Sequence, residues 1–240
     1  MKALLRDILA GKDLVLGVAA PVEVRAILDA LGSDAPVPGL WEAARACEGV
    51  TVLRVGVSKA LAAGAIARSY DPACHGAVVS AGIAGSLPGK TGGFPLRVRD
   101  VVVADRCVFG DEGIVTDDGY RTLREMGFAM DESCDDVFPC DERLVRVFEG
   151  AGARVGTLAA VSICSGTDAI ARDVTRRTGA LAEAMEGAAM AVVCRRLQAP
   201  FCEVRAISNR TGARAAQGWD IRGALHALGS VLGRALRADG

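Results

Sequence analysis

The sequence predicts an α/β fold, a mostly parallel sheet flanked by helices in one domain over residues 1–240, and three observations lead there. The 240 residues are 51% hydrophobic, enough for one sizeable core. Apolar runs of strand length alternate with stretches of helical period, the pattern of sheet strands joined by covering helices. No internal repeat, low-complexity tract or shift in composition marks a second domain.

In chain order, residues 14–19 are an apolar run read as the first strand, and residues 22–31 have helical period, with Gly32 placed to stop them. Residues 51–57 form the next strand, followed by a helix over 58–70 that Ser58 can cap. Strands at 76–81 and 100–104 precede the least regular region, 105–140, which holds Phe109-Gly110-Asp111-Glu112-Gly113 and the acidic cluster Asp131, Glu132, Asp135 and Asp136. An excursion of that length serves as a lid, a dimer contact or a solvated loop. The pattern then resumes with strands at 156–164, 180–185 and 201–208 and helices at 168–178, 187–197 and 220–238.

Lys and Arg number 28 against 29 Asp and Glu, a net charge of -1 with the signs interspersed. The electrostatic footprint of a nucleic-acid or polybasic membrane binder is missing, so neither partner is expected. No apolar run reaches the roughly 18 residues that span a bilayer. Residues 1–14 are broken by Lys2, Arg6, Asp7, Lys12 and Asp13, and the chain is read as cytoplasmic. The eight cysteines are scattered without a CxxC pair and read as reduced, buried thiols. His75 and His226 have no metal-ligand spacing to any cysteine, so no metal site is expected.

In an open α/β sheet, ligands bind beyond the carboxyl ends of the strands. Five such ends carry unusual residues: Ala19-Ala20-Pro21-Val22-Glu23, Gly82-Ile83-Ala84-Gly85-Ser86, Ser165-Gly166-Thr167-Asp168, Met185-Glu186-Gly187 and Ser208-Asn209-Arg210. Together they would make one pocket with two carboxylates and one amide. Gly82 and Gly85 read as a tight turn, exposing N–H groups to a ligand or simply reversing the chain. Glu186, between an apolar strand and a helix, is either an acceptor for two neighbouring hydroxyls or a helix-start acid. Glu203 and Arg205, two apart in a strand, share a face and suit an internal ion pair. Glu23 is either a site acid or an ordinary helix residue beside Arg25 and Asp29.

Three segments, Val79-Ser80-Ala81-Gly82-Ile83-Ala84-Gly85-Ser86, Met185-Glu186-Gly187-Ala188-Ala189 and Arg205-Ala206-Ile207-Ser208-Asn209, resemble the purine nucleoside phosphorylase/nucleosidase superfamily in order and separation. With Gly56-Val57-Ser58-Lys59, the resemblance runs from about residue 14 to 236. Within the superfamily, residues 201–210, followed by Gly212-Ala213-Arg214 and Trp219, are more similar to the futalosine hydrolases of the alternative menaquinone pathway than to the methylthioadenosine/S-adenosylhomocysteine nucleosidases.

The resemblance implies a nucleoside phosphorylase-like fold with a mixed, mostly parallel central sheet, and a homo-oligomer, dimer or larger, in which a neighbour closes the pocket. It implies a small-molecule nucleoside as substrate, with no cofactor. It assigns the ribose to Met185 and Glu186, with Glu186 accepting from the 2′ and 3′ hydroxyls, and gives Glu23 the task of positioning and deprotonating the attacking water. By the same resemblance Arg205 braces this network, Ala169 and Ile170 lie over the base, and Gly82, Ile83 and Ser208 contact the substrate. Asn209 stands where adenine-specific nucleosidases carry an aspartate.

That difference has a physical reading. An ionised carboxylate only accepts hydrogen bonds, whereas an amide also donates. A 6-oxopurine presents acceptors at N7 and O6, so Asn209 favours hypoxanthine over adenine. Phosphorylases of the superfamily hold phosphate with arginines near the first loop and the glycine-rich segment, but residues 19–22 and 82–86 contain none, leaving only Arg25 and Arg54 nearby. Water is thus the expected nucleophile, and hydrolysis of futalosine to hypoxanthine and dehypoxanthine futalosine the expected reaction. A methylthioadenosine-type nucleosidase and a purine nucleoside phosphorylase are the alternatives, with a non-enzymatic nucleoside-binding protein as a third, against which the presence of both Glu23 and Glu186 argues. Arg210 and Arg214 are candidates by position for the benzoate end of the substrate.

Overall fold

The computed structural model describes residues 2–130 and 136–237. In chain order the elements are α1 (Lys2–Leu9), β1 (Asp13–Val18), α2 (Pro21–Leu31), β2 (Ala43–Cys47), β3 (Val50–Arg54), α3 (Lys59–Ser69), β4 (His75–Ser86), β5 (Val101–Phe109), β6 (Gly113–Thr116), β7 (Gly119–Thr122), β8 (Val137–Pro139), α4 (Glu142–Gly150), β9 (Arg154–Ala160), α5 (Asp168–Thr178), β10 (Ala182–Ala184), α6 (Gly187–Arg196), β11 (Phe201–Arg210) and α7 (Ile221–Leu236). Nine strands form one mixed sheet in the order β10-β9-β5-β11-β4-β1-β3-β2, with β8 added on β5. No helix among the described residues is long and apolar enough to cross a membrane.

The middle of the sheet follows from composition. Leu14, Leu16 and Val18 of β1, Val78 and Val79 of β4, and Val204 and Ala206 of β11 are buried, as expected of strands covered on both faces. The covering helices start and stop where local chemistry dictates. Ser58 Oγ accepts from Leu61 N–H at the start of α3, and Gly32 ends α2 in the left-handed conformation at φ 76°.

The sheet differs from the open one expected. β4 runs parallel to β1 and β11, while β5 lies antiparallel to β11. β4 is 12 residues long, twice the length of β1, and its overhanging end pairs antiparallel with β10 through Ala182↔Ser86 and Glu183↔Gly85. Because β9 also pairs with β5 and β10, the strands β4, β11, β5, β9 and β10 close into a ring.

Several boundaries move with it. Gly82 and Gly85 lie inside β4 and form no turn. The strand expected at 100–104 continues to Phe109, and that at 201–208 to Arg210. The one expected at 156–164 ends at Ala160, after which the chain turns into the pocket, and that at 180–185 shortens to three residues. β3 stops at Arg54 rather than at residue 57, and the final helix covers Ile221–Leu236.

The elements absent from the sequence reading are short, nine residues at most. β2 is an edge strand joined to β3 through Glu48-Gly49, with Gly49 at φ 70°. Helices α1 and α4 are eight and nine residues long. Region 105–140 holds the end of β5, the β6–β7 hairpin and β8. Of its acidic cluster, Asp131, Glu132 and Asp135 lie outside the described residues, while Asp136 pairs with Arg124 at 3.3 Å. Cys107, Cys140, Cys194 and Cys202 are buried as expected, but Cys74 and Cys164 are exposed because both lie in loops.

Candidate active site

The ends of β1, β4, β10 and β11 and the loop after β9 surround a cavity of about 420 Å³. Glu23, Ile83, Met185, Glu186, Arg205, Ser208 and Asn209 all line it. Ala169 and Ile170 do not; both are exposed in the first turn of α5.

Glu23 is buried in the first turn of α2. Its Oε2 accepts from Ala20 N–H and its Oε1 from Ile83 N–H, both at 2.9 Å. The helix start supplies one donor and β4 the other, so the carboxylate has a fixed orientation and keeps lone pairs for a ligand or water.

Arg205, 2% exposed, joins the other acids. Its Nε donates to Glu203 Oε1 at 2.8 Å, and its Nη2 donates to Ser80 Oγ at 2.9 Å and to Glu186 Oε2 at 3.1 Å. The ion pair anticipated between Glu203 and Arg205 is therefore present, and it extends to Glu186. Glu203 Oε2 also accepts from the Cys107 thiol at 3.2 Å. Glu186 occupies the position before α6 but makes no cap hydrogen bond to it, so it is no helix-start acid. Burial pushes the Glu186 carboxyl above its ordinary range; Arg205 opposes this, and Glu23 and Glu203 add to it. Burial works against the Arg205 charge, but Glu203, Glu186 and Glu23 together hold its pKa above the usual value. One guanidinium thus faces three carboxylates, and the cavity floor favours a developing positive charge.

Gly82 explains how these groups meet. A Cβ there would run into Arg205 Nη1 and stand 2.6 Å from Glu23 Oε1, so the glycine gives β4 the clearance for both. Gly82→Ala is expected to destabilise the protein by about 1–3 kcal/mol, as overpacking does in a pinned environment. Thermal or urea unfolding checks this, and an unchanged midpoint would mean that Arg205 and Glu23 move freely.

Asn209 lies in β11, at a register shift against β4 and well before the next helix, so it caps nothing. Its Oδ1 accepts from Ser208 Oγ at 2.8 Å, and its Nδ2 donates to Arg210 O at 2.8 Å. The network orients the amide and leaves a second Nδ2 hydrogen unassigned.

Sequence reasoning passed over three polar residues of the cavity, Glu183, Gln217 and Thr211, the last of which donates through its hydroxyl to Ser86 O. Glu183 accepts from Ser165 N–H at 2.7 Å and Ser165 Oγ at 2.6 Å, holding the loop after β9, and burial raises its pKa. The signal was an acid in an otherwise apolar three-residue strand. Gln217 is buried in a loop and had no signal in apolar periodicity.

Four other cations have definite places. Arg25 donates to the carbonyls of Ser33 and Ala35, Arg54 donates to that of Pro38, and neither lines the cavity. Arg210 lies over the Phe94 ring, also outside the lining, whereas Arg214 is part of it.

Residues 46–237 match the family model described as Phosphorylase superfamily. The chain is 34% identical over 230 residues to the futalosine hydrolase of Streptomyces coelicolor, covering 92% of this chain and 94% of that protein. It is 38% identical over 169 residues to the futalosine hydrolase of Acidothermus cellulolyticus, covering 68% of this chain and 66% of that one. The native structure of futalosine hydrolase from Helicobacter pylori strain 26695 shares the fold, with a TM-score of 0.75 at 18% identity over 95% of this chain and 98% of that one.

Proposed function

The chain belongs to the phosphorylase superfamily, and from that premise we propose that it hydrolyses the N-glycosidic bond of futalosine, releasing hypoxanthine and dehypoxanthine futalosine in menaquinone biosynthesis. The observation that carries the reading is the meeting, in one cavity, of the doubly held Glu23, the Arg205-braced Glu186 and the oriented amide of Asn209. Two relatives that bear the futalosine hydrolase name support the choice of nucleoside.

Glycosidic cleavage through an oxocarbenium-like transition state needs help for the leaving group and a water on the other face of the sugar. Glu23 is the base for that water. Glu186 accepts from the ribose hydroxyls and places negative charge near the developing cation, while Met185 packs beside the sugar. Asn209 donates from Nδ2 to the 6-oxopurine edge as electrons move onto the base. Arg25 and Arg54, spent on backbone carbonyls, supply no phosphate site, which supports water over phosphate as nucleophile. A homo-oligomer and a cytoplasmic site of action belong to the same proposal.

The test is chromatography of purine released from futalosine, inosine and methylthioadenosine, each with and without phosphate. Hypoxanthine from futalosine at a rate indifferent to phosphate is expected. Phosphate-dependent release, or adenine from methylthioadenosine as the faster reaction, would overturn the proposal.

The pH dependence has a definite sign. Protonation of Glu186 turns one of its two acceptor oxygens into a donor and removes the negative charge beside the developing cation, so kcat/KM falls as pH drops through its raised pKa. Arg205 holds that pKa down, so Arg205→Met is expected to move the acid limb to higher pH and, by leaving buried carboxylates unpaired, to cost about 3–5 kcal/mol of stability. Arg205→Lys, which keeps the charge, should shift the limb less. Equal limbs in wild type and Arg205→Met would rule out control by Glu186.

A further inference from the structure

The geometry points to a subsite for an aryl carboxylate at the mouth of the cavity, built from Arg214, Gln217 and Trp219, which receives the benzoate end of the nucleoside. This rests on the futalosine reading above and names the group that selects that substrate.

The cavity has two cationic side chains in its lining, Arg205 and Arg214. Arg205 is committed to Glu203 and Glu186. Arg214 forms no ion pair among the described residues; its Nη1 donates to Gln217 Oε1 at 2.9 Å and its guanidinium lies 5.1 Å from the Trp219 ring centre. A guanidinium without a carboxylate partner, facing a cavity with acids on its floor, is the one place there that favours an incoming anion.

Its position is fixed from below. Gln217 is buried, and its Oε1 accepts from both Arg214 Nη1 and Trp219 Nε1, the latter at 3.0 Å. Its Nε2 donates to Ser165 O at 3.3 Å and to Gly212 O at 3.1 Å. Reversing the amide would set donors against donors and acceptor against acceptors, so only one orientation satisfies all four partners. Gln217 therefore ties the Arg214–Trp219 pair to the loop after β9, which Glu183 anchors through Ser165.

The rim supplies the rest of the match. Val22, Val57, Trp219 and Ile221 are large apolar side chains that line the cavity yet stay exposed. A nucleoside ending in a plain hydroxyl uses neither this apolar rim nor the cation. An aryl carboxylate uses both, its ring against Trp219 and neighbours and its carboxylate on Arg214. Arg210, turned to Phe94 outside the cavity, takes no part.

The test compares futalosine with its benzamide counterpart, in which the carboxylate is replaced by a carboxamide, following hypoxanthine release. Wild type is expected to show a KM about tenfold lower for futalosine, the scale of a solvent-accessible charged hydrogen bond. Arg214→Gln should raise the futalosine KM by about tenfold, with kcat within about twofold, and leave the benzamide KM unchanged. Arg214→Lys should recover part of the difference, and Arg210→Gln should lose none of it. Discrimination between the two substrates that survives Arg214→Gln would overturn the subsite while leaving the hydrolase reading intact. Absence of hypoxanthine release from either substrate by wild type would overturn both.

Discussion

Replacing Glu23 with Gln is expected to lower kcat for futalosine by about a thousandfold while a purine nucleoside still binds. A positioned general base is worth about 10²–10⁴ in rate, and the amide cannot take a proton from water. The same change leaves a mark on the fold. The amide keeps one oxygen for Ala20 N–H or Ile83 N–H and turns its NH₂ toward the other, so a buried donor goes unpaired at a cost of about 1–3 kcal/mol. Single-turnover hypoxanthine release measures the first effect, calorimetric titration with a non-cleavable nucleoside the binding, and thermal unfolding the last. A kcat within tenfold of wild type would place the base elsewhere in the cavity.

The second large effect is on choice of base. Asn209→Asp is expected to move the ratio of kcat/KM for futalosine over methylthioadenosine by about a hundredfold toward the adenine nucleoside. A site built to donate to a 6-oxopurine leaves polar groups unpaired when its donor is lost, and such mismatches discriminate strongly. The variant also sets an acceptor against Arg210 O where Nδ2 now donates at 2.8 Å, so absolute rates fall with every substrate. The ratio is the informative quantity. If it stays constant while both rates fall, Asn209 is a structural amide and the base is read by another group.

The parts of the fold that the sequence made legible are those where periodicity and burial coincide. β1, α2 and α3 emerge from unbroken apolar runs, helical period and the caps at Gly32 and Ser58, because their environment is set by near neighbours. β2 is a partly buried edge strand and leaves no clear pattern, while β10 is legible as the strand at 180–185 but its pairing with β4 is not, because that contact joins strands far apart in the chain. In the site, Glu186 and the Glu203–Arg205 pair stood out as charges inside apolar segments, which is costly without partners. Gln217 did not, since a polar residue in a loop is unremarkable until the loop is folded onto Ser165. Gly82 was legible as a special residue but for another reason: it clears space for two side chains and makes no turn.

The strand ring closed by β10 against β4 bears on how substrate enters. Glu183 pairs with Gly85, and Asn209 pairs with the same glycine from β11, so the segment leading to Met185 and Glu186 and the strand end bearing the amide are laced to one stretch of β4. Splaying those strands apart would break the hoop and scatter the groups that must act together, so admission falls to the loop stretches 162–166 and 211–220, which lie outside the strand ladder and are tied by hydrogen bonds of the Glu183 and Gln217 side chains. Opening there breaks side-chain hydrogen bonds and no strand pairing, so the strands that carry the reacting groups keep their spacing. In deuterium exchange, slow amides at Gly85 and Glu183 beside fast ones at Gly166 and Gly218 would be the signature of such a rigid frame with a soft doorway.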